Sequence, residues 1–242
     1  IENCVNKATI TGGKRNIGGI AGYTYSNSAI KNCVNKGNIS AEATQVGGIL
    51  GSTMSGSMSI EGCINEGIVS GNSEVGGIVG KETSGIAVKD CYNTGKISGK
   101  SNVGGIAGQS QQTGFVNCYN AGSVNKGKGS AFAGNAAKSS FDNCYYLKKT
   151  GYDENAQELT DEELKSAELG TGFKLVCRNY PALAWETDKI EHNGQLQETV
   201  APVCGAKGYD LYKCSSCGET YRKNYVNALA HTSDESKATV FP

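Results

Sequence analysis

Six cysteines, Cys4, Cys33, Cys63, Cys91, Cys118 and Cys144, follow one another at intervals of 29, 30, 28, 27 and 26 residues. A period in the range of roughly 20–50 residues marks stacked architectures, in which each repeat buries its apolar face only against its neighbours. Three residues before each cysteine stands Ile1, Ile30, Ile60, Val88, Phe115 or Phe141, and six after the first five stands Ile10, Ile39, Val69, Ile97 or Val124. Further on comes an apolar-Gly-Gly-Ile-x-Gly box, at Ile17 to Gly22, Val46 to Gly51, Val75 to Gly80 and Val103 to Gly108. The fifth copy degrades to Ser130-Ala131-Phe132-Ala133-Gly134, and the sixth has no box.

Between these ladders lie the turn signals. Asn3, Asn32, Gly62, Asp90, Asn117 and Asn143 directly precede the cysteines. Gly, Asn and Asp tolerate left-handed backbone, so the chain is expected to turn a corner there. Asn6, Asn35, Asn65, Asn93 and Asn120 stand two residues after a cysteine, where a structural stack or corner is expected. Gly37, Gly67, Gly95 and Gly122, four after, suggest a second corner. No segment of the repeat region carries apolar residues at i, i+3, i+4 and i+7, which excludes a helical repeat. The expectation is an all-β parallel β-solenoid (β-helix) of about six coils with three strands each, a rod on the order of 30 Å long at about 4.8 Å per coil. A lone coil buries too little to order its own backbone, so stability must be collective. The cysteines are expected as stacked, buried thiols acting as compact hydrophobes, because parallel Cβ directions suit a disulfide poorly.

The Val-Gly-Gly-Ile-x-Gly box together with Cys-x-Asn-x-Gly resembles the GLUG-motif repeats of large bacterial surface proteins, among them adhesins and some secreted peptidases. The resemblance implies an extracellular scaffold or binding role at the cell surface and no set of catalytic residues. It also implies a Tyr-Pro-x-Leu-x-Trp segment after the last repeat, matched here by Tyr180 to Trp185, and small Cys/His modules beyond the solenoid.

Three regions follow: a solenoid over 1–146, a helix-containing cap over 147–188, and a small Cys/His module over 189–242. In the cap, Thr160 and Glu163 form a capping box, and Leu164, Ala167 and Leu169 are expected to cover the open rod end, with Gly170 ending the helix. Phe173 to Val176 and Tyr180 to Trp185 read as closing strands, with Trp185 as a core plug.

In the module, Cys204, Cys214, Cys217 and His231 give C-x9-C-x2-C-x13-H, with Gly218 completing a zinc-knuckle-like Cys-x-x-Cys-Gly. Three Cys and one His suit a closed tetrahedral structural zinc site, and so small a core needs a staple. A disulfide, favoured by an oxidising exterior, and unpaired thiols remain open alternatives. His192 is an alternative fourth ligand, because the Thr-Val-x-Pro following it, Thr199 to Pro202, returns as Thr239 to Pro242 and suggests the start of a second copy. That return, with a start at a coil boundary, suggests a fragment of a longer exported protein.

Function is narrowed mostly by exclusion. Lys plus Arg and Asp plus Glu each number 23, so no general charge draws the chain to nucleic acid or anionic lipid. No apolar run approaches the length that spans a bilayer. Hydrolytic solenoids need carboxylates grouped at one level, whereas Glu2, Glu61, Asp90 and Asp142 are scattered and alternate with Lys31 and Lys89. The chain is therefore expected to be non-enzymatic, a secreted or cell-surface adhesin, binding module or rigid spacer meeting a host or bacterial glycan or surface protein. The alternative is an accessory region of a larger secreted hydrolase, a peptidase or glycosidase, whose active site lies outside this chain. Tyr92, Tyr119, Tyr145 and Tyr146 form an aromatic column, expected as a core ladder, with a ligand-binding stripe as the sharper possibility.

Overall fold

A computed structural model describes residues 1–25, 27–54, 58–125 and 129–230. The repeats form a parallel β-solenoid of about five full turns, with a partial sixth. Each of the first four coils contributes five short strands rather than the three expected, and the fifth contributes four among the described residues. In the second coil these are Val34–Asn35, Ile39–Ser40, Thr44–Gly47, Leu50–Thr53 and Ser59–Glu61. The extra breaks come from corners that composition did not flag. Besides Asn3, Asn32, Gly62, Asp90, Asn117 and Asn143, which all have positive φ as expected, Asn16, Gln45, Glu74 and Asn102 take φ of 47–64° just before each box.

Strands pair only with the equivalent strand one coil away. Val5, Val34, Ile64, Tyr92, Tyr119 and Tyr145 are in register in one sheet, and Ile30, Ile60, Val88, Phe115 and Phe141 in another. The cysteines therefore run in single file. Cys33, Cys63, Cys91 and Cys118 are fully buried, and each of the six thiols donates to the carbonyl two residues earlier, as from Cys91 to Lys89 at 3.1 Å. All six are unpaired by disulfides, and burial pushes the Cys91 thiol well above its ordinary pKa.

Beside them runs the asparagine file. Each side-chain amide donates to the carboxamide oxygen of the next coil, Asn6 to Asn35 to Asn65 to Asn93 to Asn120, at 2.7–2.8 Å. From Asn35 onward, the same amide also donates to the backbone carbonyl two residues ahead at 2.9 Å. The box glycines close against this file: a Cβ on Gly48 would lie 2.0 Å from the Gly77 carbonyl oxygen and 2.4 Å from Asn65 Oδ1. The interior is thus split into two apolar columns, one of Cys, Ile and Phe, the other of Ile39, Val69, Ile97 and the first Val of each box. Gly37, Gly67, Gly95 and Gly122 have no positive φ; they are needed for close approach, since a Cβ on Gly67 would meet the Gly37 carbonyl oxygen at 2.1 Å.

At the far end one carboxylate ends the ladder. In successive coils a single carbonyl accepts two amides of the preceding box: Ile49 O from Ile20 and Ala21, Ile78 O from Ile49 and Leu50, Ile106 O from Ile78 and Val79, and Phe132 O from Ile106 and Ala107. For the last pair, Phe132 and Ala133, the acceptor is Asp153 Oδ2, at 3.2 and 2.9 Å. Asp153 Oδ1 meanwhile accepts from Asn155 and Ala156. Gln157–Leu159 then adds a final parallel strand beside Tyr145–Leu147.

The cap has the expected parts in a different place. Helix Asp161–Lys165 carries the full capping box of Thr160 and Glu163. It ends at Ser166 rather than at Gly170, which has φ +80° four residues later. Leu164, Ala167, Leu169 and Leu183 are buried, but against Val34, Ile64, Tyr92, Tyr119 and Leu147, the outward side chains of one lateral sheet. The cap therefore lies along the flank of the rod, and Asp153 with its neighbours covers the end. Phe173–Lys174 and Ala182–Leu183 pair antiparallel. Trp185 is not a core plug: it is 37% exposed at the cap's edge, its indole Nε1 3.2 Å from where a Cβ on Gly62 would stand.

The tyrosine column is the seam beneath this cap. Tyr92 and Tyr119 stack at 4.9 Å with an interplanar angle of 5°, and both are buried. The Tyr119 hydroxyl donates to the Pro181 carbonyl at 2.7 Å and that of Tyr92 to the Glu186 carboxylate at 3.0 Å. Burial raises the Glu186 pKa, outweighing the Leu183 N–H and Tyr92 O–H that lower it. Tyr146 belongs elsewhere, in register with Asn120 and buried at the head of the asparagine file.

Beyond the cap, Gly194–Val200, Gly208–Cys214 and Thr220–Val226 form a three-stranded antiparallel sheet. Among the described residues no helix is long and apolar enough to cross a membrane.

Candidate metal centre

Four side chains meet between the cap and the C-terminal sheet: Cys177, His192, Cys214 and Cys217. Their donor atoms all lie within 4.8 Å of one another. Cys177 Sγ stands 3.6 Å from Cys214 Sγ and 3.7 Å from His192 Nδ1, and Cys217 Sγ lies 3.8 Å from the same nitrogen.

Local structure explains the convergence. The segment after the Phe173–Lys174 strand pairs with the one entering the sheet, through a Val176–Glu191 bridge and bonds from Cys177 N to Ile190 O and from His192 N to Leu175 O. This pairing sets Cys177 and His192 side by side. Cys214 ends the middle strand of the sheet, and Cys217 lies in the turn that follows. Gly218, at φ +78°, donates its N–H back to the Cys214 carbonyl at 2.9 Å. That left-handed residue lets the turn bring both thiols to one side, as the Cys-x-x-Cys-Gly sequence suggests.

The surroundings hold these side chains in place. His192 is buried, and its ring stacks on Tyr221 at 4.5 Å with an interplanar angle of 17°. Tyr221 in turn stacks on Tyr212 at 5.5 Å. Such support fixes which nitrogen faces the thiols. Burial pushes the Cys177 thiol up to about 12. For Cys214 burial acts in the same direction, but hydrogen bonds from His192 and from backbone N–H groups, that of Cys217 first, outweigh it and hold the thiol down to about 5. Three thiols and an imidazole set this close can take a metal ion, the thiols releasing their protons as it binds.

Of the expected ligands, the structure brings together Cys214, Cys217 and the alternative histidine, His192. Cys204 is exposed, in an isolated bridge with Leu229, and is not part of the cluster. His231 lies outside the described residues. Cys177 is the member of the cluster that sequence reasoning missed. Its signal was arithmetic: six of the ten cysteines belong to the ladder and three to the module, leaving one unassigned.

Of the acidic residues weighed for catalysis, Glu61 and Asp90 are engaged by neighbouring side chains, Asp90 by Lys89 at 3.6 Å and by the Asn117 amide, which donates to it at 2.8 Å. Glu61 is in register with Lys31 and Lys89 and pairs with them at 3.5 and 3.7 Å. Glu82, fully buried, accepts from the backbone of Ser84, Gly85 and Gln111 and from the Thr113 hydroxyl.

Comparison with protein families finds the GLUG motif at residues 13–40, a stretch that holds the first box and ends in the next coil. The same spacing of ladders recurs in the following coils, which makes the chain a repeat protein with a GLUG motif in its first coils. No curated protein and no solved structure matches the chain.

Proposed function

We propose that this chain is a non-catalytic part of a secreted or cell-surface bacterial protein, a rigid rod that presents or spaces a binding surface for a glycan or surface protein. The observation that carries this reading is the use of the conspicuous side chains for stacking. The cysteine and asparagine files, the paired tyrosines and the corner charges each find their partner one coil away or under the cap. What is left to the outside is the lateral surface of a stiff, repetitive body, the property a spacer or adhesive stalk needs. Because Tyr92 and Tyr119 are buried, they are not part of the binding surface.

Purified chain applied to mucin, glycan arrays and intact bacterial and host cells tests the proposal. Saturable retention without release of peptide or sugar fragments is expected. Turnover of any of these substrates by the chain itself would overturn the non-catalytic reading.

In the same reading the four-residue cluster holds a structural zinc ion. About 2.3 Å from each sulfur, a tetrahedral zinc separates its ligands by about 3.8 Å. Three of the six separations, at 3.6–3.8 Å, match that spacing, and all six lie within 4.8 Å. Three cysteines and a histidine fill the coordination sphere, as in sites that hold structure rather than activate water. Elemental analysis of protein purified without chelator is expected to find a single equivalent of zinc, lost in Cys177→Ser. Full retention of zinc in that variant would exclude Cys177 as a ligand.

A further inference from the structure

We infer that metal binding decides whether the C-terminal sheet, residues 194–226, is docked on the cap or released as a tethered segment, while the rod folds independently of the metal. The inference rests on the metal reading above and extends it from composition to control.

The donor set is divided between two parts of the molecule. Cys177 and His192 are held by the backbone pairing of residues 175–177 with 190–192. Cys214 and Cys217 belong to the sheet, and their turn is closed by Cys214 N to Glu219 O and Gly218 N to Cys214 O. A metal ion bound by all four ties one part to the other.

Beyond the stack of His192 on Tyr221, little else does so. The apolar cluster at this junction has three buried members, Leu175, Cys214 and Tyr221, with Cys177, Tyr212 and Cys217 partly buried around them. Half of these six residues are ligands, so the metal sits where a larger domain would have its core. Such a nucleus is too small to hold a sheet by apolar burial alone. The other links include backbone donors to exposed carboxylates, from Arg178 N to Glu219 Oε2 at 3.2 Å and from Asn224 N to Glu168 Oε1 at 2.8 Å, and Ser215 bonded to the Asn193 carbonyl. In water such exposed bonds contribute little net free energy. Gly194–Val200 buries none of its seven residues fully. The rod, by contrast, keeps its packing in clusters that share no residue with this junction. Because metal sites of this kind form together with the fold around them, binding free energy becomes docking free energy.

Hydrogen exchange of the full chain, read by mass spectrometry with zinc bound and after chelation, tests the inference while metal content is measured in parallel. Peptides from 194–226 are expected to exchange at least tenfold faster once the metal is removed, and to recover when Zn2+ is restored. Peptides from the coils between Ile30 and Val124 are expected not to change. Cys177→Ser should reproduce the loss in 194–226 with the coils as internal evidence that the variant is folded. Metal loss with unchanged protection of 194–226 would overturn the inference and leave the zinc site standing. Failure of the chain to bind Zn2+ or the spectroscopic substitute Co2+ would overturn both.

Discussion

An asparagine inside a β-rod is tolerable only when its carboxamide is fully engaged, because each buried polar group left unpaired costs about 1–3 kcal/mol. Asn93 meets that condition. Its Nδ2 donates to Asn120 Oδ1 and Gly95 O, and its Oδ1 accepts from Asn65 Nδ2 and Gly95 N. Asn93→Ala withdraws all four bonds at once and leaves groups on both neighbouring coils short of a partner. A loss of roughly 2–5 kcal/mol is expected from equilibrium unfolding in denaturant. Asn93→Asp should be at least as damaging despite its matching shape, since a carboxylate cannot donate to Asn120 or Gly95 and brings charge into the interior. An Asp variant as stable as the parent would show that the file is not a hydrogen-bonded unit. The file itself is legible in the sequence as Asn recurring two residues after Cys. The corners at Gln45 and Glu74 are not, because left-handed geometry there is imposed by the coil above and below rather than invited by the residue type.

Among the elements, the segment 150–156 does the work expected of the helical cap. Asp153 supplies, from a side chain, the acceptor that every earlier box receives from the next coil's carbonyl. Asp153→Ala leaves Phe132 N and Ala133 N without that acceptor. A loss of about 1–3 kcal/mol is expected, together with faster amide exchange in the fifth box but not in the third. Unchanged exchange at Phe132 and Ala133 would remove Asp153 from this role. The helix and its capping box were plain in Leu159 to Leu164, and so was the burial of Leu164, Ala167 and Leu169. Which surface they cover was not. A three- or four-residue apolar spacing says that a helix has a buried face but not whether an end or a flank receives it. The signal for the flank lay in the coils themselves, where Val34, Ile64, Tyr92 and Tyr119 follow Cys on the side opposite the core. A large apolar residue facing outward in successive coils requires a cover.

At the scale of the whole molecule, the rod could be read because its information is repeated: five near-copies of one pattern fix period, register and the identity of each column. The candidate metal centre has no such redundancy. Cys214 and Cys217 announce themselves by spacing, and His192 as one of only two histidines. Cys177 stands alone in the sequence, and only the pairing of 175–177 with 190–192 makes it a neighbour of the others. Periodic structure is written locally, whereas a single junction between non-repeating parts is assembled by tertiary contact.

The placement of the cap along the flank also bears on how such an array can change in length. From the last coil, the cap reaches back past Tyr119 and Tyr92 to the corner at Gly62. Each of its contacts answers a particular rung, so it measures out the final coils like a gauge. Gene duplication or loss of a unit within that stretch would shift every tooth against its notch. Units added ahead of it would meet no such check, and the rod would be free to lengthen from that side alone.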